Sequence, residues 1–391
     1  MFAELNQLPA DPILGLIAQF REDTRAHKID LGVGVYRNPQ GETPVLAAVK
    51  EAETRLLATE SSKAYVGPAG NPQYNQSMRQ LVLGEGHPAT DSLVTVQTPG
   101  GCGALRVAAE LIKRARRDAT IWVSDPTWGN HMPLLGDSGL ELKTYPYYDF
   151  ATHSLKFDEM MATLEQVDAG DLVLLHACCH NPSGADLTSD QWQQIAALAE
   201  RNGFVPFVDM AYQGFGESAD ADAYGIRLLC ERLPEVLLAV SCSKNFGLYK
   251  ERVGAVGLLS SRPAEALTHI NSIVRGIYSM PPDHGASLVA TILTDAQLTA
   301  SWLDELEVMR SRIQQMRTEF VTRVNAAGAG GRFDHIGRQR GMFSYLGLTP
   351  EQVGLLASEH AVYMLGTSRM SLAGLNDTNL DAFVSALVQV C

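Results

Sequence analysis

Short apolar runs alternate with helix-favouring segments through the middle of the chain, and this alternation constrains the fold more than any other feature. Apolar strands that alternate with helices predict a mostly parallel sheet covered by helices on both faces. We therefore expect an α/β fold whose ligand-binding groups lie at the carboxyl ends of the strands. The predicted strands cover residues 94–97, 121–124, 172–176, 204–210, 236–242 and 254–260, with intervening helices near 100–116, 133–135 and 189–202.

The length of the chain and the placement of its glycines and prolines predict two domains. The 391 residues exceed what a single hydrophobic core usually holds. No glycine or proline lies between Gly285 and Gly328, and about 295–326 is predicted as one long helix. We expect 46–294 to form a large domain, with 1–45 and 295–391 combining into a smaller α+β domain.

The composition narrows the possible partners and location. A formal net charge of −13 argues against nucleic acid or an anionic membrane surface as a partner. No apolar run approaches the roughly 18 residues that span a bilayer, and residues 1–10 lack the pattern of a targeting peptide. We therefore expect a cytoplasmic protein. The irregular spacing of its six cysteines favours free thiols over a disulfide framework.

Four neighbouring residues, His176, Cys178, Cys179 and His180, are of types that bind metal ions. However, consecutive cysteines point to opposite faces of an extended segment, and no second pair of ligands completes a tetrahedron. We therefore predict no metal site.

The predicted strand at 236–242 leads directly into Ser243 and Lys244, which places Ser241 and the lysine at the rim of the sheet. Partial desolvation and a cationic neighbour, here Arg252, favour the nucleophilic free amine of such a lysine. The spacing alone is more typical of a solvated loop lysine, so other parts of the chain must supply the evidence. A serine–lysine hydrolase is disfavoured because no G-x-S-x-G motif occurs.

A glycine-rich turn, Thr98-Pro99-Gly100-Gly101-Cys102-Gly103, separates a predicted strand from a long helix. Glycines let backbone amides approach a ligand, and the helix amino terminus supplies free N–H groups, so the turn is expected to hold a phosphate. Arg106 occupies the last glycine position of the dinucleotide-binding pattern, and the G-K-[ST] ending of a nucleotide P-loop is missing. A nucleotide-dependent oxidoreductase is therefore poorly supported.

The remaining strand ends carry polar and aromatic groups that suit one ligand, a phosphorylated pyridine aldehyde. Asp209 ends an apolar strand and needs a cationic or N–H partner. A lysine Schiff base with an acid on the ring nitrogen is what proteins contribute to pyridoxal 5′-phosphate. Lys244 would form that bond, Asp209 would pair with the ring nitrogen, Trp128 would stack on the ring, and Asn181 and Tyr212 would bind its hydroxyl.

The phosphate of this cofactor would lie on the amides of Gly101 and Cys102, with Ser241 and Arg252 beside it. Residues 31–36 are predicted as a short strand whose glycines allow close backbone approach. Gly34 is a candidate to face a ligand there, although a plain twisted strand explains this glycine equally well.

Six motifs occur in order along essentially the full chain, at residues 98–106, 125–128, 180–184, 211–215, 243–249 and 340–345. Together they resemble the class I aminotransferases, in particular the bacterial aspartate and aromatic amino acid aminotransferases. The resemblance implies fold type I of the pyridoxal-phosphate enzymes, with Lys244, Asp209, Tyr212 and Trp128 as catalytic residues.

The resemblance also implies how substrate binds and how subunits combine. Arg369 would grip the substrate α-carboxylate with Asn181 alongside, a task that suits its planar fork. Arg275 would reach the neighbouring subunit's site and pair with the distal carboxylate of a dicarboxylic substrate, and Tyr65 would touch the neighbour's cofactor phosphate. A homodimer with shared sites follows. His131 resembles a partner of Asp209, although a buried structural histidine is nearly as consistent.

Departures from the family pattern bear on the substrate. Cys102 stands where relatives usually have threonine or serine, and Met280 replaces the usual asparagine or serine. The change at 102 removes a side-chain hydroxyl from the phosphate site, whereas Met280 and Ala64 favour a larger, softer pocket that accepts aromatic side chains as well as dicarboxylates.

The expected reaction is ping-pong transfer of an amino group from an aromatic amino acid or aspartate to 2-oxoglutarate. A strict aspartate aminotransferase is the alternative, and a decarboxylase or lyase on the same fold is more remote. A non-catalytic binding protein would be expected to have lost Lys244, Asp209 or Arg369.

Overall fold

A computed structural model describes residues 1–8, 11–32 and 34–391. The helices are α1 Pro12–Glu22, α2 Ala47–Thr59, α3 Pro72–Leu83, α4 Gly100–Ala115, α5 His131–Gly136, α6 Phe157–Leu164, α7 Ser189–Asn202, α8 Tyr224–Arg232, α9 Pro263–Ile277, α10 His284–Thr294, α11 Ala296–Val324, α12 His335–Arg338, α13 Pro350–His360 and α14 Leu380–Val390. Short helical turns occur at Phe2–Glu4, Ala221–Ala223, Asn325–Ala329 and Leu372–Gly374.

The strands are β1 Ile29–Asp30, β2 Leu93–Pro99, β3 Thr120–Asp125, β4 Glu141–Pro146, β5 Tyr148–Asp149, β6 Ser154–Leu155, β7 Leu172–His176, β8 Val205–Met210, β9 Val236–Ser241, β10 Val253–Leu259, β11 Phe343–Tyr345, β12 Val362–Tyr363 and β13 Arg369–Ser371. Seven of them form the central sheet, in the order β2-β10-β9-β8-β7-β3-β4.

The central sheet is mostly parallel, as the alternation of strands and helices predicts. β10 is its exception and runs antiparallel to both of its neighbours. Alternate residues of the inner strands enter different apolar layers: Leu172 and Leu174 pack on one face of the sheet, and Val173 and Leu175 on the other. Helices therefore cover both faces, and the α/β prediction is confirmed.

The antiparallel direction of β10 follows from the short connection that precedes it. A parallel pair needs a crossover of a dozen or more residues, usually with a helix, whereas β9 and β10 are joined by residues 242–252, which contain no helix. Ser241 is opposite Gly254 in the register of this pair. The turn with Lys244 and Arg252 is thereby held at the carboxyl edge of β9.

Local signals explain why helix α7 has the ends that the sequence predicts. Its amino terminus has a capping box, in which the Thr188 hydroxyl accepts from the Gln191 amide at 3.3 Å and the Gln191 side chain accepts from the Thr188 amide at 2.9 Å. Gly203 ends the helix in the left-handed conformation that glycine adopts without strain.

The long helix predicted near 295–326 is α11, which continues unbroken for 29 residues. Asp295 caps it by accepting from the amides of Gln297 and Leu298, both at 2.9 Å. Trp302, on its buried face, stacks on Phe246 with ring centroids 4.4 Å apart. The helix thus contacts the turn that carries Lys244.

Both ends of the chain meet outside the central sheet. β1 pairs in parallel with β12, and β11 pairs antiparallel with β13. The proposed domain limits, 1–45 with 295–391 and 46–294, stay a prediction. Among the described residues, no helix has the length and hydropathy needed to cross a membrane.

One predicted strand, at 31–36, is wrong, and four strands were missed, namely β4, β5, β6 and β13. The observed strand β1 covers Ile29–Asp30, the flanking residues Leu31, Gly32 and 34–36 are irregular, and Val33 lies outside the described residues. Glycine weakens a strand because it has no side chain to pack. β4 was missed because it lies at the sheet edge and fully buries only Tyr145, which leaves no apolar run to detect.

Candidate active site

One cavity of about 230 Å³ opens at the carboxyl edge of the sheet, where the sequence predicts a ligand site. Eleven of the predicted site residues line it: Gly34, Gly101, Cys102, Trp128, Asn181, Asp209, Tyr212, Ser241, Lys244, Arg252 and Arg369. These residues come from strands, loops and the start of α4, far apart along the chain, so the fold assembles a single polar site.

Lys244 lies half-buried in the cavity, in the turn after β9. Its Nζ is 5.1 Å from the centroid of the Tyr212 ring. Burial lowers the pKa of Lys244, the charge of Asp209 opposes this change, and the charge of Arg252 adds to it. The environment therefore favours the uncharged, nucleophilic amine more than water does.

The turn that bears this lysine is anchored from behind. Trp302 on α11 donates its indole N–H to the carbonyl of Asn245 at 2.7 Å, and Gly247 donates to the carbonyl of Lys244 at 3.1 Å. Because the residue next to the lysine is bonded to a buried tryptophan, the lysine backbone is held in a defined position.

Asp209 ends β8 and is 7% exposed. Its Oδ2 lies 3.0 Å from His131 Nε2, and the other ring nitrogen of that histidine is 2.8 Å from the Thr127 hydroxyl. Thr127 is in turn 3.1 Å from His176 Nε2. These contacts supply the partner that a buried acid requires.

The electrostatics keep Asp209 ionised. Burial raises the pKa of this carboxyl, but the hydrogen bond from His131 and the charges of His131 and Lys244 lower it by more, so the net shift is downward. Burial lowers the pKa of His176 to about 3, so that imidazole is neutral near neutral pH. A cationic ring nitrogen of a ligand bound in the cavity would therefore lie near the fixed negative charge of Asp209.

The glycine turn and the amino terminus of α4 form one wall of the cavity. A Cβ added to Gly100 would lie 2.5 Å from Arg252 Nη2, and one added to Gly101 would lie 3.1 Å from Ser241 Cβ. Arg252 donates to the carbonyl of Tyr249 at 3.0 Å and to the Ser243 hydroxyl at 3.4 Å. Its hydrogen-bond acceptors among the described residues are neutral, so helix N–H groups and a guanidinium together suit a phosphate.

Arg369 lies across the cavity on β13 and is 5% exposed. It donates to Asn181 Oδ1 at 3.3 Å and to the carbonyl of Gly32 at 3.0 Å, and its Cζ lies 4.3 Å from the Phe343 ring centroid. Its Nε has no hydrogen-bond partner within the described parts of the chain. A buried guanidinium with a spare donor suits a ligand carboxylate.

The comparisons with known proteins agree with this chemistry. The family model "Aminotransferase class I and II" matches residues 26–387. The chain belongs to this family.

Relatives of this aminotransferase align along its whole length. The aromatic-amino-acid aminotransferase of Pseudomonas aeruginosa is 46% identical, covering 100% of this chain and 99% of the relative. The aspartate aminotransferase of Escherichia coli strain K12 is 45% identical, and the match covers both chains fully. The crystal structure of an aromatic-amino-acid aminotransferase from Burkholderia pseudomallei, covalently bound to pyridoxal phosphate, is similar with a TM-score of 0.97 and 42% identity, covering 100% and 99%. The family and fold type predicted from the motifs are confirmed.

Tyr65 and Arg275 lie outside the cavity formed by their own chain. Tyr65 is 93% exposed. Arg275 is also exposed, and its guanidinium contacts the Ser279 hydroxyl. Their roles toward a neighbouring subunit stay predictions.

The cavity of the aminotransferase also contains residues that were not singled out from the sequence. Phe343 and Tyr249 lie within the motifs at 340–345 and 243–249, so these motifs could have indicated both as site residues. Ile13 reaches the cavity from α1, and Cys178, which was considered from the sequence only as a metal ligand, reaches it from the loop after β7. Nothing local to Ile13 indicates this position, because it depends on where the amino-terminal segment packs.

Proposed function

We propose that this aminotransferase uses pyridoxal 5′-phosphate to move an amino group from an aromatic amino acid or aspartate to 2-oxoglutarate. The observation that carries the proposal is that the Lys244 amine and the ionised Asp209 carboxylate line one cavity, whose wall is a helix amino terminus beside Arg252. The two half-reactions would alternate at this one site, which gives ping-pong kinetics.

The residues present fit this cofactor. Gly101, Cys102, Ser241 and Arg252 would hold its phosphate, because glycines at 100 and 101 leave room beside the helix N–H groups. Asp209 would pair with the ring nitrogen, a role that requires the carboxylate to stay charged in a buried place. When bound, pyridoxal phosphate supplies an electron sink that acidifies the α-hydrogen of an amino acid.

The chain's own groups would position the substrate and carry its proton. The amine of Lys244 would take the substrate α-hydrogen as a proton and later give it back as an acid, because a half-buried amine of lowered pKa can act as base and then as acid. Tyr212 and Asn181 would bind the ring hydroxyl, and Trp128 would cover the ring. Trp128 is itself held edge-on against His131, with centroids 5.2 Å apart.

Arg369 would bind the substrate α-carboxylate and so select amino acids from other amines. Its partner Asn181 and the face of Phe343 fix the guanidinium plane, which is what a two-pronged interaction with a carboxylate requires. Gly34 would lie near the substrate, because it lines the cavity with no side chain to obstruct it.

The site would be completed by a second copy of the chain. In this proposal Arg275 pairs with the distal carboxylate of a dicarboxylic substrate in the neighbouring subunit, and Tyr65 contacts the neighbour's cofactor phosphate. Their exposure in the single chain supports this, as does the exposed apolar amino terminus, where Phe2, Leu5 and Leu8 are 76%, 77% and 82% exposed. Location in the cytoplasm stays a prediction from the sequence.

Steady-state kinetics with matched donors test the reaction. We expect kcat/KM to be appreciable for aspartate and for tyrosine or phenylalanine with 2-oxoglutarate, with one glutamate formed per oxo acid produced. Negligible turnover of both aromatic donors would favour the strict aspartate aminotransferase. Release of carbon dioxide or ammonia in place of glutamate would favour a decarboxylase or lyase and overturn the proposal.

Subunit mixing tests the shared site. Lys244→Ala and Arg275→Ala homodimers should each be poor with aspartate, the first for lack of the amine and the second for lack of the distal cation. Random exchange of subunits in a two-fold dimer puts both defects in one site and leaves the other intact, so about a quarter of wild-type activity should return. No recovery, with exchange shown by mass, would contradict the shared site.

A further inference from the structure

Arg317, in the carboxyl-terminal third of α11, is a fully buried cation with 0% of its surface exposed. Its guanidinium makes six hydrogen bonds, of which five are to backbone carbonyls and one is to the Ser344 hydroxyl. The carbonyl contacts are Nη1 to Ile336 at 2.9 Å, Nη2 to Arg340 at 3.1 Å, Nη2 to Gly341 at 2.7 Å, Nε to Gly341 at 3.2 Å and Nη2 to Phe343 at 2.8 Å. The Ser344 contact, also from Nη1, is 2.7 Å.

Burying the Arg317 cation costs free energy, which indicates that its contacts organise the segment it binds. Taking a cation out of water carries a penalty of several kcal/mol, which neutral acceptors offset only when their geometry is good. Within the described residues, every hydrogen-bond acceptor of Arg317 is a neutral oxygen. The backbone carbonyls of residues 336, 340, 341 and 343 converge on the guanidinium. Without Arg317, these carbonyls would lose the hydrogen-bond donor that they share.

The segment that Arg317 binds leads into the carboxylate-binding part of the active site. Phe343 begins β11 and packs 4.3 Å from Arg369 Cζ, and its ring meets Tyr212 edge-on at 6.2 Å. In the register of β11 with β13, Tyr345 is opposite Arg369 itself. Arg317 therefore holds the start of the strand to which the Arg369 backbone is paired.

The same segment also touches the loop that carries Asn181, the hydrogen-bond partner of Arg369. Arg340 donates its amide to the carbonyl of Gly184 at 2.8 Å. A Cβ added to Gly184 would lie 2.4 Å from the Phe343 carbonyl oxygen. With so little space, a shift of this carbonyl would be transmitted to the loop that begins at Asn181.

We propose that Arg317 is a positioning residue, which sets the place and plane of Arg369 through Phe343 and β11 without touching substrate. The inference rests on the proposed function, because it assumes that Arg369 binds a substrate carboxylate. Loss of Arg317 would weaken the contact between Arg369 and the substrate carboxylate, which is made both in the bound substrate and in the transition state. KM should therefore rise more than kcat falls. Binding of the cofactor phosphate beside Gly101 and Arg252 should be preserved.

The first test replaces Arg317 with lysine, which keeps the charge but cannot reach several carbonyls at once. Maleate, a dicarboxylate without an amino group, is titrated against the cofactor-loaded protein by absorbance. We expect its Kd and the KM for aspartate to rise by about tenfold or more, since small misplacements of a binding group cost up to about a hundredfold. The variant should still be loaded with cofactor, as a full complement of bound pyridoxal phosphate per chain would show.

The matched control is Arg323→Lys on the same helix, where the side chain pairs with Glu319 and Asp381 at 2.9 and 2.8 Å near the surface. That variant should bind maleate as wild type does. If Arg317→Lys did the same, the positioning role would be overturned, provided wild type binds maleate. Failure of wild type itself to bind maleate would count against the proposed function and not against Arg317 alone.

A second variant keeps the proposal testable if Arg317→Lys does not fold. Ser344→Ala removes one of the hydrogen-bond acceptors of Arg317 but keeps the buried cation. The change also removes the hydrogen bond that the Ser344 hydroxyl donates to Gln339 Oε1 at 2.6 Å. We expect maleate to bind a few-fold more weakly than to wild type, a change in the same direction as for Arg317→Lys, with kcat nearly unchanged. Unchanged maleate affinity in folded Ser344→Ala would contradict the proposal.

Discussion

The carboxylate of Asp209 lies 3.0 Å from Nε2 of His131, a residue 78 positions earlier in the chain. The histidine is 0% exposed and is held by Thr127 from its other side. A strand end and a short helix therefore cooperate to keep one buried carboxylate charged, in the place where the proposed cofactor needs a counter-charge.

His131→Phe should change how stability depends on pH. The folded pKa of Asp209 is lowered, so its stabilising contribution is present above the unfolded pKa of about 3.9 and is lost as pH falls through the folded value. Without the histidine, burial would raise that pKa instead. The cofactor-free variant should then lose stability as pH rises from about 5 to 8, relative to wild type.

Thermal unfolding of the cofactor-free proteins across that pH range measures the effect. The double variant His131→Phe with Asp209→Asn is the control, because it has no carboxyl to titrate and should lack the added pH dependence. Parallel pH profiles for wild type and His131→Phe would show that the histidine does not set the charge of Asp209.

Cys102→Ser should strengthen cofactor binding. Cys102 lies at the second residue after the start of α4, and its Sγ is only a distant acceptor for Asn130 Nδ2, at 3.8 Å. A serine hydroxyl in its place can donate to a phosphate oxygen, and a net hydrogen bond contributes about 0.5–1.5 kcal/mol. We expect a Kd for pyridoxal phosphate several-fold lower, measured by absorbance titration of the cofactor-free protein.

Cys391→Ser, at the exposed carboxyl terminus, is the matched control and should leave that affinity unchanged. Equal or weaker binding by Cys102→Ser would mean that the thiol position does not face the phosphate.

Arg369→Lys should separate substrate binding from cofactor binding. Lysine keeps the positive charge but loses the planar fork that binds a carboxylate in two places. We expect KM for aspartate and for aromatic donors to rise about ten- to a hundredfold, in line with about 1.5–3 kcal/mol for a charged hydrogen bond. A rise confined to dicarboxylic donors would contradict a role at the α-carboxylate, which all donors share.

Trp302→Phe should destabilise the protein by about 1 kcal/mol or somewhat more. The change removes the indole donor to the Asn245 carbonyl while keeping an aromatic ring against Phe246. Urea unfolding gives the free-energy difference. Val308→Ala, an exposed position on the same helix, should change stability far less, and equal losses for the two variants would argue against the role of the indole hydrogen bond.

The sequence was sufficient for features that depend on neighbouring residues. Apolar runs located the inner strands, and the helix predicted at 189–202 matches α7, whose capping box and Gly203 act within a few residues. The glycine turn before α4 and the lysine after β9 could likewise be recognised before any contact was known. The exposed edge strand β4 lacked such a signal and was missed.

Tertiary structure alone decided which distant groups meet and how water is excluded from them. The family resemblance already suggested His131 as a partner of Asp209, and the structure has that contact. No pattern in the sequence, however, brings Trp302 to the carbonyl beside Lys244, or Arg317 to the segment before Phe343. These contacts join residues far apart in the chain, and their energies depend on burial, which shifts pKa values and makes each hydrogen bond costly to lose. Local pattern thus indicated the chemistry, whereas packing determined the charge and orientation of the groups proposed to perform it.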